Sequence, residues 1–136
     1  MTYNKEASNV VETLNSTLNN NKFQDKILNI ASLIKEINKQ GKITAIFGNG
    51  GSASDAQHFA AELVCTYKDR NRKPYRSIAL TTDTSIITAW TNDFEYESIF
   101  ARQLNAFENN IGLAIGLSTS GKSKNVLKAL EYSKEI

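Results

Sequence analysis

Between Ile43 and Thr66 the chain changes character twice within a few residues, and that change limits what the rest can build. Ile43, Ala45 and Phe47 lie in a short, β-prone apolar run. Gly48, Asn49, Gly50, Gly51 and Ser52 then break it with residues that tolerate left-handed backbone or let another group approach closely. From Ser52 to Thr66, Ala53, Ala56, Phe59, Ala60 and Leu63 recur at helical spacing. The glycine turn is therefore expected at a helix N-terminus, where free N–H groups and the macrodipole favour an anion such as phosphate. His58 and Glu62 stand four residues apart on one face of that helix. The spacing suits a divalent metal or an acid/base pair, and it equally suits a solvated surface pair. The turn from Gly48 to Ser52 contains neither GxGxxG nor GxxxxGK[ST], so a dinucleotide or a nucleoside triphosphate is not the first expectation for that turn.

Two amphipathic helices are expected before this strand. Ala7, Val10, Val11, Leu14 and Leu18 recur every three or four positions from Thr2 to Asn20, and the run Asn19 to Asn21 ends that helix. Phe23, Ile27, Ile30, Ala31, Ile34 and Ile37 form the stripe of a second, from Phe23 to Asn38, with Gly41 just beyond it. One sheet cannot shield both stripes, so one of them is expected to pack against another subunit.

After the central helix, Lys68 to Arg76 is polar, holds five positive charges and the only proline, Pro74, and reads as an exposed loop. Ser77 to Leu80 is a short strand, Thr84 to Ala89 a brief helical turn, and Phe94 to Phe107 a longer helix with Tyr96, Ile99, Phe100, Leu104 and Phe107 at helical spacing. A third strand, Leu113 to Leu117, leads into Ser118, Thr119, Ser120, Gly121, Lys122 and Ser123, which open a helix carrying Val126, Leu127 and Leu130. Strands alternating with helices imply a parallel sheet flanked by helices, an α/β fold whose ligands bind at strand carboxyl ends. The glycine turn and the serine turn both lie at such ends and can converge on one ligand. Four hydroxyls at a helix N-terminus suit phosphate oxygens, although a serine-rich cap would account for one or two of them.

At 136 residues and a net charge of +2 the chain reads as a single domain, 1–136, with a helical pair over 1–40 and a parallel α/β core over 42–136. The balance gives no sign of a nucleic-acid or membrane partner, and MTYNKEASNVVE has no basic segment followed by an apolar core, so a cytoplasmic protein is expected. Cys65, the single cysteine, excludes an internal disulfide and a zinc-thiolate cluster, and is expected as a small buried hydrophobe.

The segment GNGGSASDAQHFAAEL resembles the signature of the sedoheptulose 7-phosphate isomerases (phosphoheptose isomerases) of the sugar-isomerase (SIS) domain superfamily. LTTDTSIITAWTNDF, from Leu80 to Phe94, and GLSTSGKSKNVLKAL, from Gly116 to Leu130, support the same family in the same order. The resemblance implies a three-layer, flavodoxin-like sandwich in a homotetramer with sites near subunit boundaries. It implies substrate contacts at Asn49, Gly50, Gly51, Ser52, Glu62, Asn92, Asp93, Ser118, Thr119, Ser120 and Ser123, and zinc ligation by His58 and Glu62. Glu62 would also be the catalytic base, moving a proton between C1 and C2 through an enediol while zinc polarises the oxygens. The reaction implied converts sedoheptulose 7-phosphate to D-glycero-D-manno-heptose 7-phosphate, for heptose destined for lipopolysaccharide, capsule or glycoprotein.

The chain departs from the family at two places. Cys65 and Thr66 stand where Gly-Arg is usual. The family's other zinc ligands, a Gln and a His on a late helix, have no counterpart before Ile136, and that His is also the family's general acid. Either a piece of a longer enzyme or a short relative that has lost catalysis is expected on this ground, the first being preferred because a three-stranded sheet would otherwise leave an open edge. Rival functions in the superfamily are a regulator that binds the bacterial replication initiator and a phosphosugar-sensing domain. The retained Glu62 argues against the regulator, which lacks that carboxylate.

Overall fold

The computed structural model of the chain describes residues 3–136 and forms two compact units, Met1–Leu33 and Ile34–Ile136. The first holds α1 (Tyr3–Leu18) and most of α2 (Asn21–Lys39). Asn20 separates the helices and caps the second, its Oδ1 accepting the Phe23 N–H at 3.1 Å. The stripe expected on α1 is real but uncovered within the chain: Val10, Val11, Leu14 and Leu18 are all exposed. On α2, Phe23, Ile27 and Ile30 are exposed as well, and only Ile34, at the start of the second unit, is buried.

In the second unit β1 (Ile43–Gly48), β2 (Ser77–Ala79) and β3 (Ile111–Leu117) form one parallel sheet in the order β2-β1-β3. The helices are α3 (Gly51–Val64), α4 (Thr84–Asp93), a 3₁₀ turn (Tyr96–Ser98), α5 (Ile99–Ala106) and α6 (Lys124–Tyr132). Alternation along the strands divides the core into two layers. Ala45 and Phe47 pack with Leu80, Ile99, Phe100, Leu104, Val126 and Ala129, so α5 and α6 cover one face. Ile46 and Ala79 pack with Ala56 and Ala60, so α3 covers the other. This is the expected α/β three-layer arrangement.

β1 lies at the centre, and the chain leaves it first toward β2 and later crosses to β3 on the opposite side. The gap between the carboxyl ends of β1 and β3 is thus where the strand order reverses, the place at which open α/β sheets bind ligands.

Three local expectations are corrected. The helical turn expected over Thr84 to Ala89 continues to Asp93, capped by Asp83, whose Oδ1 accepts the Ile86 N–H at 3.0 Å. The helix expected from Phe94 begins only at Ile99, after the 3₁₀ turn. Cys65 is exposed, because α3 ends at Val64 and Cys65 is its C-cap, beyond the buried stripe of Ala56 and Ala60. The basic loop is exposed as expected, save for Arg72 and Tyr75. Arg72 folds back on the end of α3, donating to the carbonyls of Glu62 at 2.7 Å and Leu63 at 3.0 Å, and lies over the Tyr75 ring. A cation there satisfies carbonyls that the last turn leaves free.

Candidate functional site

The site is built where β1 and β3 end side by side. Gly48 pairs with Leu117 across the two strands, and a side chain at Gly48 would meet the Leu117 carbonyl oxygen at 2.7 Å and Ser52 Cβ at 2.9 Å. Only a residue without a Cβ lets the strand ends and the first turn of α3 come this close. Gly50 then adopts φ +55° as the N-cap of α3 and, having no side chain, leaves that helix N-terminus uncapped. Gly121 does the corresponding work in the serine turn, with φ +63°.

The serine turn is internally bonded. Ser118 Oγ lies 3.1 Å from Ser123 Oγ and accepts the Gly121 N–H at 3.1 Å, while Ser120 Oγ accepts the Lys122 N–H at 3.1 Å. Ser123 is the N-cap of α6, yet its hydroxyl makes no capping bond to that helix. The N-cap residues of α3 and α6 thus give no side-chain cap, as is also so at α5, while α4 has one; in the first turn of α6, Asn125 Oδ1 accepts the Val126 N–H instead. Thr119 is exposed at the tip of the turn.

Asn49 ties the two turns together. Its Nδ2 donates to Asn125 Oδ1 at 2.8 Å, and its Oδ1 accepts from Asn125 Nδ2 at 2.9 Å and from the Tyr96 hydroxyl at 2.8 Å. Asn125 is buried in the first turn of α6 and Tyr96 lies in the 3₁₀ turn. Neither was among the residues expected at the site. A polar Asn buried beside Val126 on an otherwise apolar helix face was the available signal for the first; Tyr96 was hidden by its place in an apolar pattern.

Two ion pairs hold the 3₁₀ segment on α6. Lys124 Nζ lies 2.7 Å from Glu97 Oε1, and Lys128 is paired with Glu95. Hydrogen bonding and attraction from Lys128 lower the Glu95 pKa below its ordinary value, and the same interactions with Glu97 raise that of Lys124.

The remaining candidates lie apart from this cluster. Asn92 and Asp93 bond to each other at 2.9 Å on the exposed end of α4, and among the described residues no hydrogen bond joins either to a turn. His58 Nε2 lies 3.3 Å from Glu62 Oε1 on α3. They stand seven and eleven residues beyond Gly51, so about 10 and 16 Å along the helix axis from the glycine turn. With Phe59, Leu63, Tyr67, Arg72 and Tyr75 they line a hollow of about 420 Å³. Glu62 Oε2 is buried there without a hydrogen-bond partner. An orphaned buried acceptor calls for an ion, a water or a substrate hydroxyl to complete it. His58 and Glu62 fit two positions of a divalent-metal site; among the described residues no third His, Cys, Asp or Glu joins them.

A parallel sheet whose strand order reverses where a glycine turn and a hydroxyl-lined turn meet defines an open α/β domain, and comparison with known proteins gives its family. The SIS domain model matches residues 2–136, and the chain belongs to that family. It is 58% identical over 104 residues to a phosphoheptose isomerase of Helicobacter pylori strain P12, covering 76% of this chain and 53% of that protein. It is 51% identical over 114 residues to phosphoheptose isomerase 1 of Campylobacter jejuni, covering 84% and 61% respectively. The chain thus spans little more than half the length of these curated relatives. A solved phosphoheptose isomerase from Neisseria gonorrhoeae superposes with a TM-score of 0.76 at 35% identity, over 97% of this chain and 69% of that one.

Proposed function

We propose that the protein is a phosphoheptose isomerase, interconverting sedoheptulose 7-phosphate and D-glycero-D-manno-heptose 7-phosphate. The observation that carries the reading is the convergence of the glycine and serine turns at the switch between β1 and β3, joined by Asn49 and Asn125. Phosphate would be held there by N–H groups of the two helix N-termini and the hydroxyls of Ser118, Thr119, Ser120 and Ser123, with Asn49, Gly50, Gly51 and Ser52 against the sugar. Asn92 and Asp93 would bind sugar hydroxyls from the segment that leads into Tyr96.

Glu62 is assigned as the base that moves the proton between C1 and C2. Its unpartnered oxygen supports that role, since an acceptor without a donor is free to take a proton. His58 and Glu62 would supply two donors to zinc, with the others from residues outside those described; a bound zinc would polarise the sugar oxygens. Because Glu62 sits toward the far end of α3 from the turns, a homotetramer that brings surfaces of neighbouring copies together is part of this reading. The exposed stripe of α1 offers the contact. The cytoplasm and the supply of heptose for lipopolysaccharide or capsule follow from the same reading.

A thermal-shift comparison of sedoheptulose 7-phosphate with unphosphorylated sedoheptulose tests the phosphate assignment. The phosphorylated sugar is expected to stabilise the protein and the free sugar much less; equal shifts, or none, contradict it.

A further inference from the structure

The amides of Asn49 and Asn125 form a closed pair whose orientation is set by the backbone. Asn125 Oδ1 accepts the Val126 N–H at 2.9 Å and Asn49 Nδ2 at 2.8 Å, which fills both of its acceptor positions. Its Nδ2 must then face Asn49 Oδ1, at 2.9 Å, and the Tyr96 hydroxyl fills the second acceptor position of that oxygen at 2.8 Å. Asn49 is left with one N–H uncommitted, at the end of β1 and beside Gly50 and Gly51. Were the amide reversed, its N–H groups would face the Asn125 N–H and the Tyr96 hydroxyl, and an oxygen would stand where the free donor now does.

We propose that Asn125 and Tyr96 are positioning residues that fix Asn49 as a donor toward an oxygen of the phosphosugar; this rests on the phosphoheptose isomerase reading above. Asn125 acts from a buried place in α6, so the amide pair also couples the first turn of the phosphate-side helix to the residue after β1. Tyr96 acts from the 3₁₀ turn, which the pairs Glu97–Lys124 and Glu95–Lys128 hold against the same helix.

The test uses Asn125→Asp and Tyr96→Phe in the full chain, with sedoheptulose 7-phosphate as the probe and Kd measured by calorimetry across pH. An aspartate at 125 is nearly isosteric. When protonated, its O–H replaces the lost donor to Asn49 Oδ1; when ionised, it sets oxygen against oxygen. Burial pushes a carboxyl there above the ordinary range. The nearby charges Lys124, Lys128, Glu95 and Glu97 are the same in both proteins, so the ratio of variant to wild-type Kd at each pH isolates position 125. That ratio is expected near one at acid pH and to rise to tenfold or more through neutral pH. A flat ratio, whatever its size, overturns the proposal, because a purely structural role would give one. Tyr96→Phe changes a half-exposed residue that tolerates loss of its hydroxyl, and is expected to weaken binding by about threefold to tenfold with melting temperature unchanged. Unchanged affinity in Tyr96→Phe overturns the role of that residue. A wild type that binds no phosphosugar overturns the isomerase reading and this inference together, whereas normal wild-type binding with both variants unaffected overturns the inference alone.

Discussion

Gly48 and Leu117 face each other at the last paired position of β1 and β3, so close that a methyl group on the glycine would stand 2.7 Å from the leucine carbonyl oxygen. The close approach lies where the two turns leave the sheet. Real Cβ atoms do not approach a backbone oxygen to that distance, so the strands or the start of α3 would have to move apart. Gly48→Ala is expected to lower stability by about 1–3 kcal/mol. It should weaken phosphosugar binding beyond what partial unfolding explains. Denaturant unfolding with a parallel binding measurement checks this; unchanged affinity in a folded variant would contradict the account of the crevice.

Ser118 and Ser123 share a contact across the mouth of the serine turn, 3.1 Å between hydroxyls. If the turn holds phosphate, Ser123→Ala should raise Kd for sedoheptulose 7-phosphate by about tenfold, the loss of a hydrogen bond to a charged group. Binding of the unphosphorylated sugar should not change. Calorimetry on both sugars decides it, and an equal loss for the two would place the turn elsewhere on the substrate.

The clamp between the 3₁₀ turn and α6 gives a pH signature. The lowered pKa of Glu95 means that its pairing with Lys128 stabilises the fold above the ordinary carboxylate range and is lost as pH falls through the lowered folded value. The raised pKa of Lys124 means that its pairing with Glu97 is present below the ordinary lysine range and is lost as pH rises through the raised folded value. Both pairs are thus intact at neutral pH. Lys128→Met should leave stability at strongly acid pH unchanged relative to wild type and reduce it slightly at neutral pH, with the difference shrinking in high salt. Melting curves across pH and salt check the sign.

Much of this architecture was legible before any coordinates. The run from Ile43 to Val64 announced strand, glycine turn and helix because each change of type falls where backbone requirements change. The serine turn was equally plain. α4 was legible only in its first part, Thr84 to Ala89: its β-branched residues Thr84, Ile86, Ile87 and Thr88 disfavour helix by propensity, and the Asp83 cap and the packing of Ile87 and Trp90 against the core support its extension to Asp93. Asn125 and Tyr96 escaped for a different reason. Their role depends on a partner far away in sequence, Asn49, and nothing in a linear pattern shows which buried amide will meet which loop. Cys65 looked buried by residue type, but position at a helix end overruled type.

The stripe on α1 gives a prediction about assembly. Val10, Val11, Leu14 and Leu18 expose apolar surface that a lone chain would leave wet. On the proposed assembly, Leu14→Glu is expected to give smaller species than the wild type by light scattering at micromolar concentration. A wild type that is monomeric under those conditions would contradict the assembly.

The proposed role of Glu62 as the base of a sugar isomerisation is tested most directly by removing its carboxylate. Glu62→Gln keeps the shape of the side chain and lets an amide remain beside His58, but the amide cannot accept a proton at neutral pH. Measured with sedoheptulose 7-phosphate on a protein that carries the remaining zinc ligands and the general acid, kcat is expected to fall by about a hundredfold to ten-thousandfold, while phosphosugar affinity stays within a few fold of wild type. A Glu62→Gln protein that isomerises at the wild-type rate would contradict the account.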